Sequence, residues 1–460
     1  MQVLKRRSFL IVVDIILVNL AALAALWLGA QRSNWPFSLQ FIGENFYWFL
    51  LPSVAYFILA TVNDCYDLSV ASSPAAIAWA LVRVTIQILL AYVVIYFLLP
   101  PASLPRHVIG FFSLILPVTL LLWRWVYILI FSHPSLRRRA IIVGAGWAGQ
   151  TIARAVRDNL RDYEIVGFVD DDPAKQGRSV EDIPVLASTA SLYALCQRMG
   201  VSELIIAISR DMRGETFQNI LTCHEHGLQV TPMSLLYEQM LGCVPVEHVG
   251  DNWFLVLPMS NFDSFNLTML VKRAIDVAVS LVGLGLFALV FPFVALAIRL
   301  DSPGPVFYRQ TRVGKAGQHF QLLKLRSMIP QAEQDGEPKW ADPNDRRVTR
   351  VGRLLRKTRL DEVPQFYNVL KGEMSLIGPR PERPEFVAQL EKEIPFYRAR
   401  LAVRPGLTGW AQTRFNYTSS VEDSLVKLQY DLYYIKHLSL YLDLLIFLRT
   451  FGVILSLRGR

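Results

Sequence analysis

Two acids stand side by side at Asp361-Glu362, in the run RLLRKTRLDEVPQFYNVLKGEMSLIGPRPERPEF (353–386). Arg353, Arg356, Lys357 and Arg359 come just before them, and Arg380 follows in GPRPERP. Pro364 is tolerated in a first helical turn, so the acids fall at a helix N-terminus, where the dipole favours the ionised carboxylate. Helix capping would account for the acids taken alone. Among so many cations they suit a site that handles phosphates and a metal. Helix neighbours point about 100° apart, so the two carboxylates take different roles: one attacks while the other holds Mg²⁺ from the side. Attack on a phosphorus that already carries negative charge needs that charge neutralised, which Mg²⁺ and arginines would do.

A second chemical signal lies upstream. In IIVGAGWAGQTIARAV (141–156), Gly144, Gly146 and Gly149 fit G-x-G-x-x-G after an apolar strand. Asp170 or Asp171, closing the strand YEIVGFVDDD, could meet a ribose. The alternative reading that follows is a membrane nucleotide-sugar dehydratase or epimerase using NAD. Its short-chain-dehydrogenase type needs a lysine four residues after a tyrosine or methionine. Between 137 and 271 the only lysine is Lys175, and Tyr163, Tyr193 and Tyr237 have none at that spacing. The glycines therefore read as a fold signature, with NAD or another nucleotide left unproven there.

These sites need elements to hold them. The chain has 460 residues, 53% hydrophobic and 18% charged, a balance that points to a membrane protein with soluble parts. The net charge of +9 comes with no nucleic-acid-binding pattern, so nucleic acid is excluded as a partner and anionic lipids and phosphorylated substrates are favoured. Cys65, Cys196, Cys223 and Cys243 form no redox or disulfide pattern, and Cys223-His224-Glu225-His226 reads as a polar helix end.

Four apolar segments near 8–30, 46–62, 79–100 and 108–131 approach the length of membrane spans, the second being the shortest. Lys5, Arg6 and Arg7 precede the first and Arg137, Arg138 and Arg139 follow the fourth, placing both ends in the cytoplasm. Strand patterns at 139–146, 163–172, 201–209 and 228–234 alternate with helices, as in a doubly wound parallel sheet. The run 274–298 has Lys272 and Arg273 on one flank and Arg299, Arg309, Arg312 and Lys315 on the other, with Pro292 inside. A helix over 272–299 that enters, bends at the proline and leaves by the same face satisfies both flanks. The run 438–457 carries Asp443 and Arg449 and reads as an interfacial or core helix. The expected architecture is a membrane α-helical bundle plus α/β. Residues 1–135 would form four transmembrane helices, 136–265 a central Rossmann-like, CoA-binding-like domain, and 266–460 a monotopic transferase domain with the re-entrant helix.

Over about 268–460 the chain resembles the bacterial polyprenyl-phosphate glycosylphosphotransferases, the monotopic phosphoglycosyl transferases. KRAID (272–276), GPVFYRQTRVGKAGQHFQLLKLRSM (304–328), KTRLDEVPQFYNVLKGEMSLIGPRP (357–381), RPGLTGWAQ (404–412) and LQYDLYYIKHLSLYLDLLI (428–446) follow the family's signatures in order. The whole chain is similar to the large exopolysaccharide-initiating members, and the wording after TGWAQ looks most like the subgroup associated with PEP-CTERM and exosortase systems. The resemblance implies that Asp361 attacks the β-phosphate of a UDP-sugar, UDP-glucose or UDP-galactose, releasing UMP. Polyprenyl phosphate, as undecaprenyl phosphate, then takes the phosphosugar at the cytoplasmic face of the bacterial inner membrane. It implies Mg²⁺ at Glu362, phosphates near Arg356 and Arg380, with Lys324 and Arg326 as further candidates, and substrate near Arg404 and Gln412. Gly406 and Gly409 would shape the loop. Lys272, Arg273, Asp276 and Pro292 would anchor and bend the re-entrant helix, with Asp276 and Asp431 in charge-paired structural contacts. The central domain would be a non-catalytic module for nucleotide sensing or homodimerisation. Two departures stand out: Phe291-Pro292 where many members have Ser-Pro, and AQTRFNYTSS (411–420), where Arg414 could replace a family arginine.

Overall fold

The computed structural model describes residues 3–34, 37–44, 46–98, 106–131, 137–160, 163–208, 212, 214–246, 267–329, 347–415 and 420–455. The chain divides into two compact units, Met1–Leu241 and Gly242–Arg460.

The first unit begins with helices α1 (Val3–Ser33), α2 (Leu39–Glu44), α3 (Tyr47–Val62), α4 (Leu68–Ala71), α5 (Pro74–Leu98) and α6 (Arg106–Phe131). Of these, α1, α5 and α6 are long and apolar enough to cross a membrane, and the protein is membrane-associated. Helix α3 has 16 residues, about 24 Å at 1.5 Å per residue, and falls short of that length. Leu10, Val18, Ala21 and Ala25 of α1 pack with Tyr56, Leu81 and Leu116 from the other three. Small α1 residues let the backbones approach, which is where packing energy comes from when the surroundings are themselves apolar. Inside this bundle Asp14 Oδ2 accepts from Arg124 Nη2 at 2.6 Å and from the Tyr56 hydroxyl at 2.9 Å, with both charges buried.

The same unit continues into a six-stranded sheet of order β3-β4-β2-β1-β5-β6. Its strands are β1 (Arg138–Val143), β2 (Tyr163–Val169), β3 (Ser179–Val180), β4 (Ile183–Ala187), β5 (Glu203–Ile206) and β6 (Gln229–Pro232). All neighbours are parallel except the β3–β4 edge pair. Helices α7 (Trp147–Asn159) and α10 (Met233–Leu241) pack on the face showing Ala140 and Ile142. Helices α8 (Leu192–Met199) and α9 (Gly214–Glu225) cover the opposite face, with Ile141 and Val143. The alternation along β1 thus serves two cores, as a doubly wound sheet requires. A Cβ on Gly149 would lie 2.0 Å from the Gly144 carbonyl oxygen, so the glycine lets α7 start hard against the β1 turn. The β3–β4 hairpin escapes a pattern reading because its two-residue turn, Glu181-Asp182, takes positive φ (53° and 63°) without the usual glycine.

The second unit opens earlier than the expected 265/266 boundary. Val244 and Val246 lie in its core, Val244 N–H donates to Gln429 O at 3.0 Å, and Trp410 Nε1 donates to Gly242 O at 2.7 Å. Apolar side chains at 242–246 find burial there, which outweighs their place in the sequence. Helix α11 (Leu267–Asp301) runs unbroken through Pro292. The antiparallel pair β7 (Phe307–Val313) and β8 (His319–Leu325) follows. Helix α12 (Arg350–Thr358), a 3₁₀ turn at Leu360–Glu362 and α13 (Gln365–Lys371) come next. Strand β9 (Ser375–Ile377) pairs in parallel with β10 (Gly406–Thr408), flanking α14 (Pro384–Glu393). Helices α15 (Trp410–Arg414), α16 (Val421–Lys436) and α17 (Leu440–Leu455) complete the unit. Helix α17 is a packing helix in its buried half: Leu442 and Ile446 join the core, and Asp443 accepts from Lys272 Nζ at 2.7 Å and the Tyr434 hydroxyl at 2.8 Å.

The turn after β9 is clamped by charge. Arg312 Nη1 donates to Pro381 O at 3.0 Å, and Arg400 Nη2 donates to Arg380 O at 2.9 Å and to Asp431 at 2.8 Å. The Glu382 carboxylate meets Lys427 Nζ and, at 3.6 Å, Arg312. Burial alone would raise the Glu382 pKa. The charges of Lys427, Arg400 and Arg312 outweigh burial and bring it down to about 2.

Two predictions follow from these ion pairs. Asp14→Ala leaves Arg124 buried without its partner and should cost about 3–5 kcal/mol. The double replacement Asp14→Leu/Arg124→Met should restore most of it, as read by thermal unfolding in lipid. Glu382 has a depressed folded pKa, so its stabilisation is fully present above the unfolded value near 4.3 and is lost as pH falls toward about 2. Melting of Glu382→Gln should lie below wild type at pH 7, with the gap closing across that acid window.

Candidate active site

The two acids sit in the 3₁₀ turn between α12 and α13, Asp361 7% and Glu362 9% exposed. Helix α12 ends at Arg359 in the left-handed region (φ 55°), which turns the chain sharply before the pair. A non-glycine residue held there carries backbone strain, a feature that clusters at functional sites.

Three elements converge on Glu362. Lys324 Nζ, from β8, donates to Oε1 at 3.0 Å. Arg380 Nη2, from the clamped turn, donates to the same oxygen at 2.7 Å. Arg359 Nη1 stands 3.7 Å from Oε2. Burial raises the Glu362 pKa, but Arg380 and Lys324 reverse that and hold it well below the usual carboxylate range. Asp361 behaves oppositely: burial and the Glu362 charge raise its pKa, and Lys324, Arg356 and Arg380 only partly oppose them. Two adjacent carboxylates are thereby pushed apart in basicity, the pattern of a reactive group beside a permanently ionised one.

Among the described residues no group of three or more His, Cys, Asp and Glu side chains gathers to hold a metal. A magnesium ion does not need one, because it binds through one or two carboxylates plus substrate phosphates. Glu362 Oε2, with only the 3.7 Å contact to Arg359, and the Asp361 carboxylate fit that donor set.

The other sequence candidates divide. Arg356 Nε donates to Ser327 Oγ at 3.0 Å, and its charge acts on Asp361. Arg326 is a correction: it does not face the acids. Its guanidinium donates to Ile298 O (3.2 Å), Ser302 O (2.7 Å) and Pro303 O (3.1 Å), closing the end of α11, whose last carbonyls lack helical partners. Arg404 is exposed at the start of the loop before β10. A Cβ on Gly406 would fall 2.1 Å from Gly378 N, so that loop packs backbone to backbone behind the Arg380 turn. Gln412 Oε1 is buried there with no hydrogen-bond partner among the described residues. Arg414 and Arg449 stack on Trp410 at 4.8 and 5.1 Å from the ring centre.

The helix anchors are placed as follows. Arg273 donates to Val369 O (2.6 Å) and Leu370 O (2.8 Å), and Lys272 pairs with Asp443. Asp431 pairs with Arg400 as expected, whereas Asp276 accepts from the Leu376 N–H at 3.0 Å, a backbone contact where a charge pair was expected. An N–H at the start of a short strand needs an acceptor as much as a cation does. Pattern reading passed over Arg312, Asn368, Glu382, Arg400 and Lys427. Asn368 Nδ2 donates to Gln321 O at 2.7 Å and its Oδ1 accepts from Leu323 N at 3.1 Å, tying α13 to the strand that carries Lys324. Arg312, Asn368 and Glu382 lie inside the quoted motifs, whereas Arg400 and Lys427 stand outside them.

The glycine turn of the first unit is held by contacts of its own. Asp170, expected at a ribose, already accepts from Ala145 N–H (2.8 Å), Asp172 N–H (2.9 Å) and Lys175 Nζ (3.0 Å). The lone lysine of that region neutralises the turn's own acid. Gly144 has φ 106° and Gly149 a close backbone neighbour, so both are explained by local packing; Gly146 is the residue before α7.

Comparison with known proteins agrees with the second unit's geometry. The profile described as bacterial sugar transferase matches residues 267–457, and that described as CoA-binding domain matches 61–221, from α3 into α9. A UDP-N-acetylgalactosamine-undecaprenyl-phosphate N-acetylgalactosaminephosphotransferase of Aeromonas hydrophila is 42% identical over 246 residues, 54% of this chain and 57% of that protein. A UDP-glucose:undecaprenyl-phosphate glucose-1-phosphate transferase of Caulobacter vibrioides is 46% identical over 188 residues, 40% of this chain and 70% of that protein. A putative undecaprenyl-phosphate N-acetylgalactosaminyl 1-phosphate transferase of Bacillus subtilis is 49% identical over 131 residues, 28% of this chain and 73% of that protein. The chain thus spans little more than half of the Aeromonas protein and over two thirds of the other two. None of these names is that of a dehydratase or epimerase, and the NAD reading is not favoured. With the Asp361-Glu362 pair, its cations and the matched span in agreement, the chain belongs to the bacterial sugar transferases, the polyprenyl-phosphate glycosylphosphotransferases.

Proposed function

We propose that the protein transfers a sugar 1-phosphate from a UDP-sugar to undecaprenyl phosphate, starting a lipid-linked polysaccharide. The observation that carries this is the split pair: a buried Asp361 of raised pKa next to a Glu362 held ionised by Lys324 and Arg380. In the first step an Asp361 carboxylate oxygen forms a bond to the β-phosphorus. The bond from that phosphorus to the bridging oxygen breaks, and its electron pair leaves with UMP. In the second step a phosphate oxygen of the lipid attacks the same phosphorus, and the bond to Asp361 breaks with its electrons returning to the carboxylate. Lys324, Arg356 and Arg380 offset the charge that would repel the nucleophile. Bound Mg²⁺, held by Glu362 Oε2 and diphosphate oxygens, would supply further charge neutralisation of the phosphoryl group. The curated relatives act on UDP-glucose and UDP-N-acetylgalactosamine, which makes a UDP-hexose the substrate class.

The reading includes α11 as a re-entrant membrane helix. Its start is tied to the second unit through Arg273 and Lys272, and Gly283 lies against Phe366. Its end is tied to the same unit through Arg326 and through Val351 N–H, which donates to Asp301 at 2.8 Å. Between them Leu289 (72%) and Phe293 (74%) are exposed. A helix fastened at both ends to one charged domain, with an apolar middle, enters a bilayer and returns more readily than it crosses. On this reading the basic flanks favour the cytoplasmic face of the bacterial inner membrane for that domain. The α/β sheet of the first unit is read as a non-catalytic module.

The test is UMP release from a panel of UDP-sugars with Mg²⁺, before and after addition of undecaprenyl phosphate. A stoichiometric burst without acceptor is expected, with a hexose-phosphate adduct on the protein. Asp361→Asn should lose about a thousandfold or more in turnover and form no adduct; normal turnover in that variant would sink the assignment. Because Asp361 has a raised pKa, activity should fall on acidification above the ordinary aspartate range near 3.9. Lys324→Met removes a cation that lowers that pKa, so the acid limb of kcat/KM should move to higher pH.

A further inference from the structure

Gln365, the first residue of α13, is 3% exposed, and its Nε2 is fully covered with no hydrogen-bond partner among the described residues. Its setting makes this informative. Asp361, Gln365 and Asn368 are all buried; Asp361 lies in the 3₁₀ turn, and Gln365 and Asn368 stand one turn apart on α13. Before and after Gln365 the segment bonds β8: Lys324 Nζ bonds Glu362 on the one side, and Asn368 bonds Leu323 N–H and Gln321 O on the other. Between these two contacts in the chain, the Gln365 amide nitrogen has no partner among the described residues. Buried amides are almost always paired, because an unpaired one has lost its water for nothing. A methionine of similar shape would fill the space without that loss.

We propose that Gln365 is a substrate-contacting residue, whose side-chain amide donates a hydrogen bond to a non-bridging oxygen of the phosphoryl group that Asp361 takes up. This rests on the phosphoryl-transfer reading given above. Gln365 follows Asp361 by four residues, across the turn that leads into α13. Phosphoryl oxygens only accept, which matches an unpaired N–H. A neutral donor also suits this position better than a fifth cation. A lysine or arginine four residues from Asp361 would pair with its carboxylate and lower its nucleophilicity, whereas an amide orients the phosphoryl oxygen and leaves the carboxylate's charge alone.

The experiment uses the full chain in lipid nanodiscs with Mg²⁺. Wild type, Gln365→Met and Gln365→Glu are compared by the rate of the UMP burst from UDP-glucose and from UDP-N-acetylgalactosamine, and by thermal melting. Gln365→Met should slow the burst about 10- to 100-fold, to a similar extent with both sugars, and melt at or about 2–4 °C above wild type. Gln365→Glu, nearly isosteric, should slow it at least as much by placing a negative charge against the phosphoryl group, and it carries the test if the methionine variant does not fold. An unchanged burst in either variant overturns the proposal. So does a slower burst accompanied by a lower melting temperature in both, which marks a structural amide. A loss confined to one sugar overturns it in favour of a contact to the sugar ring. Absence of any burst in wild type with every UDP-sugar would instead remove the phosphoryl-transfer reading itself, and the proposal with it.

Discussion

Glu362 Oε1 receives two cations that come from different parts of the chain, Lys324 from β8 and Arg380 from the turn after β9. That one oxygen constrains much of the second unit. Lys324 reaches it only if β8 lies along α13, which Asn368 secures by bonding Gln321 and Leu323. Arg380 reaches it only if its turn is held from behind, which Arg400, Arg312 and Lys427 secure through Arg380 O, Pro381 O and the Glu382 carboxylate. The ion pair then acts on its neighbour. An ionised Glu362 and burial raise Asp361, while the same cations keep that rise within a range where the carboxylate still ionises. Two adjacent carboxylates thus differ in basicity because their partners differ.

Charge also organises the apolar parts. In the first unit the Asp14–Arg124 pair is buried among helices. In the second, Lys272 and Asp443 join α11 to α17, and Arg326 closes the far end of α11. A charged group removed from water is costly unless paired and hydrogen-bonded, so each pair specifies which helices meet and at which residues. Among the described residues, the exposed apolar middle of α11 carries no such pair.

The central sheet shows how a motif can be correct about geometry and uninformative about chemistry. Gly144 and Gly149 permit a tight strand-to-helix turn, and the parallel sheet forms around it. At that turn Asp170 accepts from Ala145 N–H and is itself neutralised by Lys175. Residues passed over by pattern reading were those whose meaning depends on a distant partner, such as Arg400 with Arg380 O, or those in a turn without its usual glycine, as at Glu181-Asp182.

By itself the sequence determined the long apolar helices, the alternating β1 that serves two cores, the family motifs and the Asp361-Glu362 pair with its surplus of cations. These follow from periodicity, hydropathy and local composition, which are written in consecutive residues. Only the tertiary structure decided which cations reach Glu362, that Arg326 belongs to a helix end, that residues 242–246 pack in the second unit, and that Gln365 is buried without a partner. The physical reason is the same in each case. A side chain's hydrogen bonds and desolvation are set by groups brought near it from 18 to 185 residues away, and no local pattern carries that information.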